Sequence, residues 1–314
     1  MKKMNVTVIG LGGVGGYFGF KLASMYAGSE IARIAFVARG TTFQTVSHQG
    51  LTLLSPEHEV SVCHPSFLTE SIAELPETDI FLICVKEYDL EQVCQSLKSS
   101  VTANTILLPL MNGADIYERI RKIIPNGIVL PACVYVASHI KEKGVVEHKG
   151  KPGKIYMGKD PLHPDFEPEE TYQLLKNAGI NISYTADAFP EIWRKFLFIA
   201  SFGLVTARYN KSIGELLQNP ALKEQAAGIM QEIKQIAEKK GIGLTDDAIE
   251  KTFERAATFP PQTPTSLQLD VQAGKSQNEL ELFAGTIIRY GKELNIATPV
   301  TERIYAELKN GLKA

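Results

Sequence analysis

At 314 residues the chain is long enough for two domains. Hydrophobic residues at 44% and charged residues at 22% give an ordinary globular composition and exclude a disordered chain, because enough apolar surface is available to offset ordering entropy. Lys and Arg number 33 against 35 Asp and Glu, so the basic excess of a nucleic-acid binder is absent and no nucleic-acid partner is expected. No apolar run approaches the length of a membrane span, and the basic Met1-Lys2-Lys3 start leads into glycines rather than into a cleavable leader pattern. Four cysteines (Cys63, Cys84, Cys94, Cys133) form no CxxC pair and no His-rich ligand spacing. They read as reduced, mostly buried thiols, with neither a metal centre nor a disulfide framework. The expectation is a cytoplasmic protein with no membrane partner.

The first half alternates short apolar runs with helical stretches. Asn5–Ile9 reads as a strand opening into glycines, and residues 14–26 as the helix that follows. Residues 31–38, 79–85, 105–110 and 128–136 repeat the strand pattern; the run DIFLICV is that of a strand buried on both faces. Residues 90–97 and 116–123 read as helices between them. The alternation predicts an α/β class, with an N-terminal Rossmann-type doubly wound sheet. Residues 160–170, with three prolines and several acids, predict a surface loop, followed by a helix over 170–178 and a strand over 181–184. From Phe189 the spacing turns helical: 191–207, 213–240 broken near Asn219-Pro220, 245–257, 266–273 and 278–294. The reading is residues 1–186 as a dinucleotide-binding domain and 187–314 as an all-helical C-terminal domain. An apolar helical half leaves room for a homodimer.

Gly10-Leu11-Gly12-Gly13-Val14-Gly15 fits G-x-G-x-x-G between a strand and a helix. Its glycines allow a tight turn, close approach of backbone to a pyrophosphate, and close helix–strand packing, with the helix N-terminus facing the negative charge. An NAD site usually places Asp or Glu at the end of the second strand. Here the sequence is Phe36-Val37-Ala38-Arg39-Gly40-Thr41-Thr42, with no acid, and the Arg39 fork suits a 2′-phosphate. The pattern favours NADPH. Lys86 and Asn112 follow the next two strand runs, where ligands gather on an open sheet. Trp193-Arg194-Lys195 begins a long apolar helix. Lys195 is either an ammonium pointed at a ligand or a lysine whose stem covers apolar surface. Glu279 either orients it or is a solvated helix charge, and spacing alone does not choose.

Taken together, GLGGVGG, FVARG, CVKEYDL, LMNGAD, WRKFLF, TAR with IGEL, TSLQLDVQAGK, NELELFAG and ATPV resemble the ketopantoate reductase (2-dehydropantoate 2-reductase) family over nearly the whole chain. The resemblance implies NADPH-dependent reduction of a 2-keto acid, foremost 2-dehydropantoate in pantothenate biosynthesis. It makes Lys195 the general acid. Lys86 and Asn112 would touch cofactor and substrate, Ser266 the substrate carboxylate end, and Glu279 the cofactor, while Ala137 would make a backbone cofactor contact. The chain departs from the family where the helix usually reads K-x-x-x-N-x-x-x-N: here the asparagine positions are Ile199 and Gly203, and the serine-to-glutamate segment is one residue longer. Ile199 predicts a drier pocket and Gly203 a roomier one, unless Ser201 or Asn210 replaces the missing amides. A related hydroxy acid dehydrogenase, or a catalytically silent NADPH-binding module, are the alternatives.

Overall fold

The computed structural model describes residues 3–56 and 58–311. They fall into two compact units. One runs to Asn112 and again from Ile116 to Ala188; the other holds Gly113–Asp115 and the described residues from Phe189 on.

In the first unit the strands are β1 (Met4–Ile9), β2 (Ala32–Val37), β3 (Leu51–Ser55), β4 (His58–Cys63), β5 (Phe67–Thr69), β6 (Ile80–Ile83), β7 (Ile106–Pro109), β8 (Ile128–Val129), β9 (Ala132–Tyr135), β10 (Ser138–Glu142), β11 (Val145–His148), β12 (Lys154–Gly158) and β13 (Asn181–Thr185). The helices are α1 (Gly13–Met25), α2 (Gly40–Gln49), α3 (Glu87–Leu97), α4 (Ile116–Ile123) and α5 (Glu169–Asn177). The main sheet has the order β5-β2-β1-β6-β7-β8 and is parallel throughout. Val6, Thr7, Val8 and Ile9 are all buried, as are all four residues of β6 and of β7, because elements cover both faces of this sheet. Phe18 and Leu22 of α1 enter the same core as Val6, Val8 and Phe36. Each such side chain contributes about 1.5–3 kcal/mol.

The main strands fall where the apolar runs predict, but residues 128–136 do not form one strand. Leu130 still donates its N–H to Leu107 of the main sheet, at 3.0 Å. Pro131 has no N–H to continue the ladder, and its carbonyl instead accepts from Gly158, at 2.9 Å. The chain thus changes sheet at the proline, and β9 joins β12 and β13 in a three-stranded sheet ordered β13-β12-β9.

A four-stranded sheet, β10-β11-β3-β4, has no counterpart in the sequence reading. Leu51, Leu53, Cys63 and Val146 are buried in the core that α1 shares, whereas Val60 and Val62 are exposed. Helix α1 therefore lies between two sheets, and a Cβ on Gly16 would stand 2.4 Å from Val146. The segment after β12 is a loop as expected, but Asp160 at its head is fully buried. Its carboxylate accepts from Tyr117 at 2.7 Å, from the Val129 N–H at 2.9 Å, from the Leu162 N–H at 3.1 Å, and from the Arg121 guanidinium, with His163 at 2.8 Å. One side chain thereby ties α4, β8 and the loop. Burial pushes the Asp160 carboxyl up, and the hydrogen bonds outweigh it and hold it below the usual carboxylate range. All four cysteines are free and buried.

The second unit is helical: α6 (Phe189–Tyr209), α7 (Ile213–Gln218), α8 (Pro220–Lys239), α9 (Ala248–Ala257), α10 (Ser266–Gln272), α11 (Thr286–Leu294) and α12 (Pro299–Gly311). Helix α6 packs against α7, α8, α9, α10 and α12, which is why it is apolar nearly all round. Ser212 with Glu215 and Thr265 with Gln268 form capping boxes at the starts of α7 and α10. Asn219 caps α8 ahead of Pro220. Buried Glu232 of α8 accepts the Val300 and Thr301 N–H groups and so closes the start of α12. Asp115 belongs to this unit, held by Arg289 at 2.7 Å and Thr286 at 3.2 Å. The helix expected over 278–294 is not uniform. It is preceded by an Asn278 cap on the Leu280 N–H and carries a π turn at Glu281–Gly285 before α11. Among the described residues no helix is long and apolar enough to cross a membrane.

Candidate active site

The main sheet delivers four polar segments to its carboxyl edge from four adjacent strands. Across the order β2-β1-β6-β7 these are Arg39, the glycine turn Gly10–Gly15, Lys86 and Asn112. In open parallel sheets this edge is where ligands bind.

The turn has the shape a dinucleotide requires. Gly10 has φ +90°, a left-handed conformation that costs glycine nothing, and its N–H donates to the Val37 carbonyl at 3.0 Å. A Cβ on Gly15 would lie 1.9 Å from the Gly10 carbonyl oxygen and 2.8 Å from Cys84 Cβ, so only glycine lets α1 start there. At Gly12, by contrast, a Cβ would meet nothing within 4 Å, leaving the backbone open to a ligand. Leu11 is buried beneath the turn, and Val14 is half-buried in the first turn of α1. No side chain caps α1, and no acid lies in its first turn. Its leading N–H groups and positive dipole end are thus available to a pyrophosphate. Burial pushes the Cys84 thiol up, keeping it a neutral filler behind the turn.

Arg39 is exposed at the N-cap of α2, in extended conformation. The fold adds a group that a linear reading of β2 misses: Glu70, just after β5, accepts the Gly40 N–H at 2.6 Å. A carboxylate therefore does stand at the end of β2, contributed by the neighbouring strand. Lys86 is exposed at the N-cap of α3, and Asn112 is half-buried beyond β7. Ala137 is exposed between β9 and β10, its carbonyl taken by the Lys149 N–H at 2.8 Å. The next residue, Ser138, presses on the glycine turn: a Cβ on Gly13 would lie 2.4 Å from its carbonyl oxygen. This contact brings Ala137 to the turn and explains why Gly13, a free position of the motif, is also glycine. A separate cavity of about 550 Å³ opens at the opposite, amino edge, lined by Asn5, Arg33 and Thr78 among others, away from all of these residues.

In the second unit Lys195 does not begin its helix. Helix α6 starts at Phe189, placing Lys195 in the second turn, half-buried, between buried Trp193 and Phe196. Ser266 is exposed at the first position of α10, which packs on α6. Glu279 is only 3% exposed, in the turn ahead of the π turn, and its carbonyl accepts the Phe283 N–H at 3.1 Å. The room expected at Gly203 is not there. Gly203 is buried, and a Cβ would stand 3.3 Å from the Phe283 ring and 3.8 Å from Leu267 Cβ. The π turn aims Phe283 into that space, a long-range placement that periodicity does not register. Among the described residues no group of three or more His, Cys, Asp or Glu could hold a metal ion.

Two family models match the chain: ketopantoate reductase PanE/ApbA over residues 6–161, and its C-terminal counterpart over residues 187–311. An uncharacterised oxidoreductase, YkpB, of Bacillus subtilis is 26% identical over 98% of both chains. The 2-dehydropantoate 2-reductase of Halobacterium salinarum is 24% identical over 95% of both. The crystal structure of 2-dehydropantoate 2-reductase from Porphyromonas gingivalis is 27% identical, superposes with a TM-score of 0.83, and covers 98% of this chain and 99% of that one. With both halves of the chain matched in order, a parallel Rossmann-like sheet followed by helices, the protein belongs to the ketopantoate reductase family and is an oxidoreductase.

Proposed function

We propose that the protein reduces a 2-keto acid to the 2-hydroxy acid with NADPH. The observation that carries this reading is the ordered set of Arg39, the uncapped glycine turn, Lys86 and Asn112 on one sheet edge. The turn and the α1 N-terminus hold the pyrophosphate, and Arg39 holds a 2′-phosphate by charge-assisted hydrogen bonds. Lys86, Asn112, the Ala137 backbone and Glu279 are the further cofactor contacts of this reading. Ser266 takes the substrate carboxylate end, with Lys86 and Asn112 as further substrate contacts.

The bound dinucleotide supplies the hydride that the keto carbon accepts. Lys195 provides the rest of the chemistry. A lysine ammonium is charged at neutral pH, so it stabilises negative charge growing on the carbonyl oxygen and then gives that oxygen its proton. Lys195 regains a proton from water. 2-Dehydropantoate is the first substrate to assay, because relatives across the family carry its name. The test is a panel of 2-keto acids with NADPH and NADH, cofactor oxidation being followed by absorbance. Reduction of at least one acid, faster with NADPH, is the expected result; no reduction of any of them rejects the reading.

A further inference from the structure

From residue 192 to residue 207 of α6, only Arg194, Lys195, Phe198 and Ile199 are not buried. A substrate that reaches Lys195 therefore meets Phe198 and Ile199 beside it. The Phe198 ring is stacked on Phe202 at 5.0 Å and on Phe259 at 5.5 Å, with the Arg255 guanidinium 5.8 Å from its centroid, so the ring is held in place. The Arg194 guanidinium is paired with Glu191, one turn back on the same helix. Neither polar neighbour can stand in for the absent amides. Ser201 is fully buried and donates to the Leu197 carbonyl at 2.6 Å, and Asn210, at the far end of the helix, accepts from Gln268 and Gln272. The other amide position, Gly203, is sealed in the core by Phe283. Next to Lys195, then, the two side chains that continue the half-buried face of this helix, Phe198 and Ile199, offer no group to bond a hydroxyl on the substrate's side chain.

We infer that the enzyme selects 2-keto acids with an apolar side chain and discriminates against one bearing a hydroxyl. The inference rests on the proposed reaction at Lys195 and names its substrate class. A hydroxyl brought against this wall gives up its water partners without replacement. An apolar pocket rejects an added hydroxyl by about 10²-fold, whereas a site built to bond that hydroxyl rejects the analogue lacking it by about 10⁴–10⁵. The two kinds of pocket thus give opposite orders of preference.

The decisive pair is 2-dehydropantoate and 3,3-dimethyl-2-oxobutanoate, which is the same acid without its hydroxyl. With NADPH, kcat/KM should favour the deoxy acid by roughly ten- to a hundred-fold. Calorimetric binding of the two acids to enzyme saturated with NADP⁺ should show the same order without turnover. Ile199→Asn should move the ratio toward 2-dehydropantoate by about ten-fold or more, one hydrogen bond's worth. Ile199→Thr, closer in shape, should move it the same way if the asparagine variant folds poorly. Equal use of the two acids, or preference for 2-dehydropantoate, overturns the inference while leaving the proposed function standing. Failure to reduce any 2-keto acid removes both.

Discussion

In the proposed reaction a single side chain, Lys195, separates chemistry from binding. Lys195→Ala should lower turnover by about 10²–10⁴, the range for a positioned proton donor, while NADPH affinity measured by fluorescence titration stays close to wild type. Near wild-type turnover would reduce Lys195 to a stem covering apolar surface. In the proposed reading, cofactor choice turns on two opposed charges. Arg39→Ala should weaken NADPH by about ten-fold or more and barely change NADH, since a hydrogen bond to a charged group contributes about 1.5–3 kcal/mol. Glu70, on the Gly40 N–H next to Arg39, would repel a 2′-phosphate held by Arg39, so Glu70→Gln should tighten NADPH relative to NADH. Titrations of both variants with both cofactors check the pair. Gly10, Gly12, Gly15 and Arg39 were legible in the sequence because they follow strands whose apolar runs are unmistakable. Glu70 was not, since its place depends on β5 pairing with β2 across a long connection.

Among the elements, α1 is the most tightly specified. A methyl at Gly15 would collide with backbone, not with a side chain that can turn away. Gly15→Ala should therefore cost about 1–3 kcal/mol or more in denaturant unfolding and abolish measurable NADPH binding. Wild-type affinity in that variant would show that the turn relaxes freely. Helix α6 was legible by its apolar length and was read over 191–207, whereas it runs from Phe189 to Tyr209, Pro190 being tolerated in the first turn. The π turn was illegible for a different reason. A π turn is a local underwinding made stable by what it packs on, and the space it fills beside Gly203 exists only once α6, α10 and the turn are assembled.

At the scale of the molecule, the parallel sheet and the helical half could be read from periodicity, whereas the four-stranded sheet could not. Its strands β3, β4, β10 and β11 are short and come from two distant stretches, and β10 carries Lys141 and Glu142. Asp160 was concealed likewise: in a proline-rich acidic loop it looked solvated, yet it anchors three elements. Its pH signature has a definite sign. The folded carboxyl is held below its unfolded value, so its contribution is fully present above about pH 3.9 and is lost as pH falls through the folded value. Asp160→Asn should lower Tm at neutral pH, and the gap to wild type should narrow as pH is taken below about 4. A gap that stays constant down to that range would show that the carboxylate charge does not hold the anchor.

The buried cysteines make the chain its own reporter. Cys63 and Cys94 are pushed up by burial to about 12, and Cys84 is raised as well, so almost no thiolate is present for a maleimide or a disulfide reagent to attack. Cys63, Cys84, Cys94 and Cys133 sit in or beside β4, β6, α3 and β9, all in the first unit, and the helical unit has no cysteine. Alkylation in native buffer thus waits on opening of the Rossmann unit and is blind to fraying of the helices. Its rate is a clock for that one event, which a bound dinucleotide should slow, and one cysteine introduced on an exposed helical position would supply a second, independent clock.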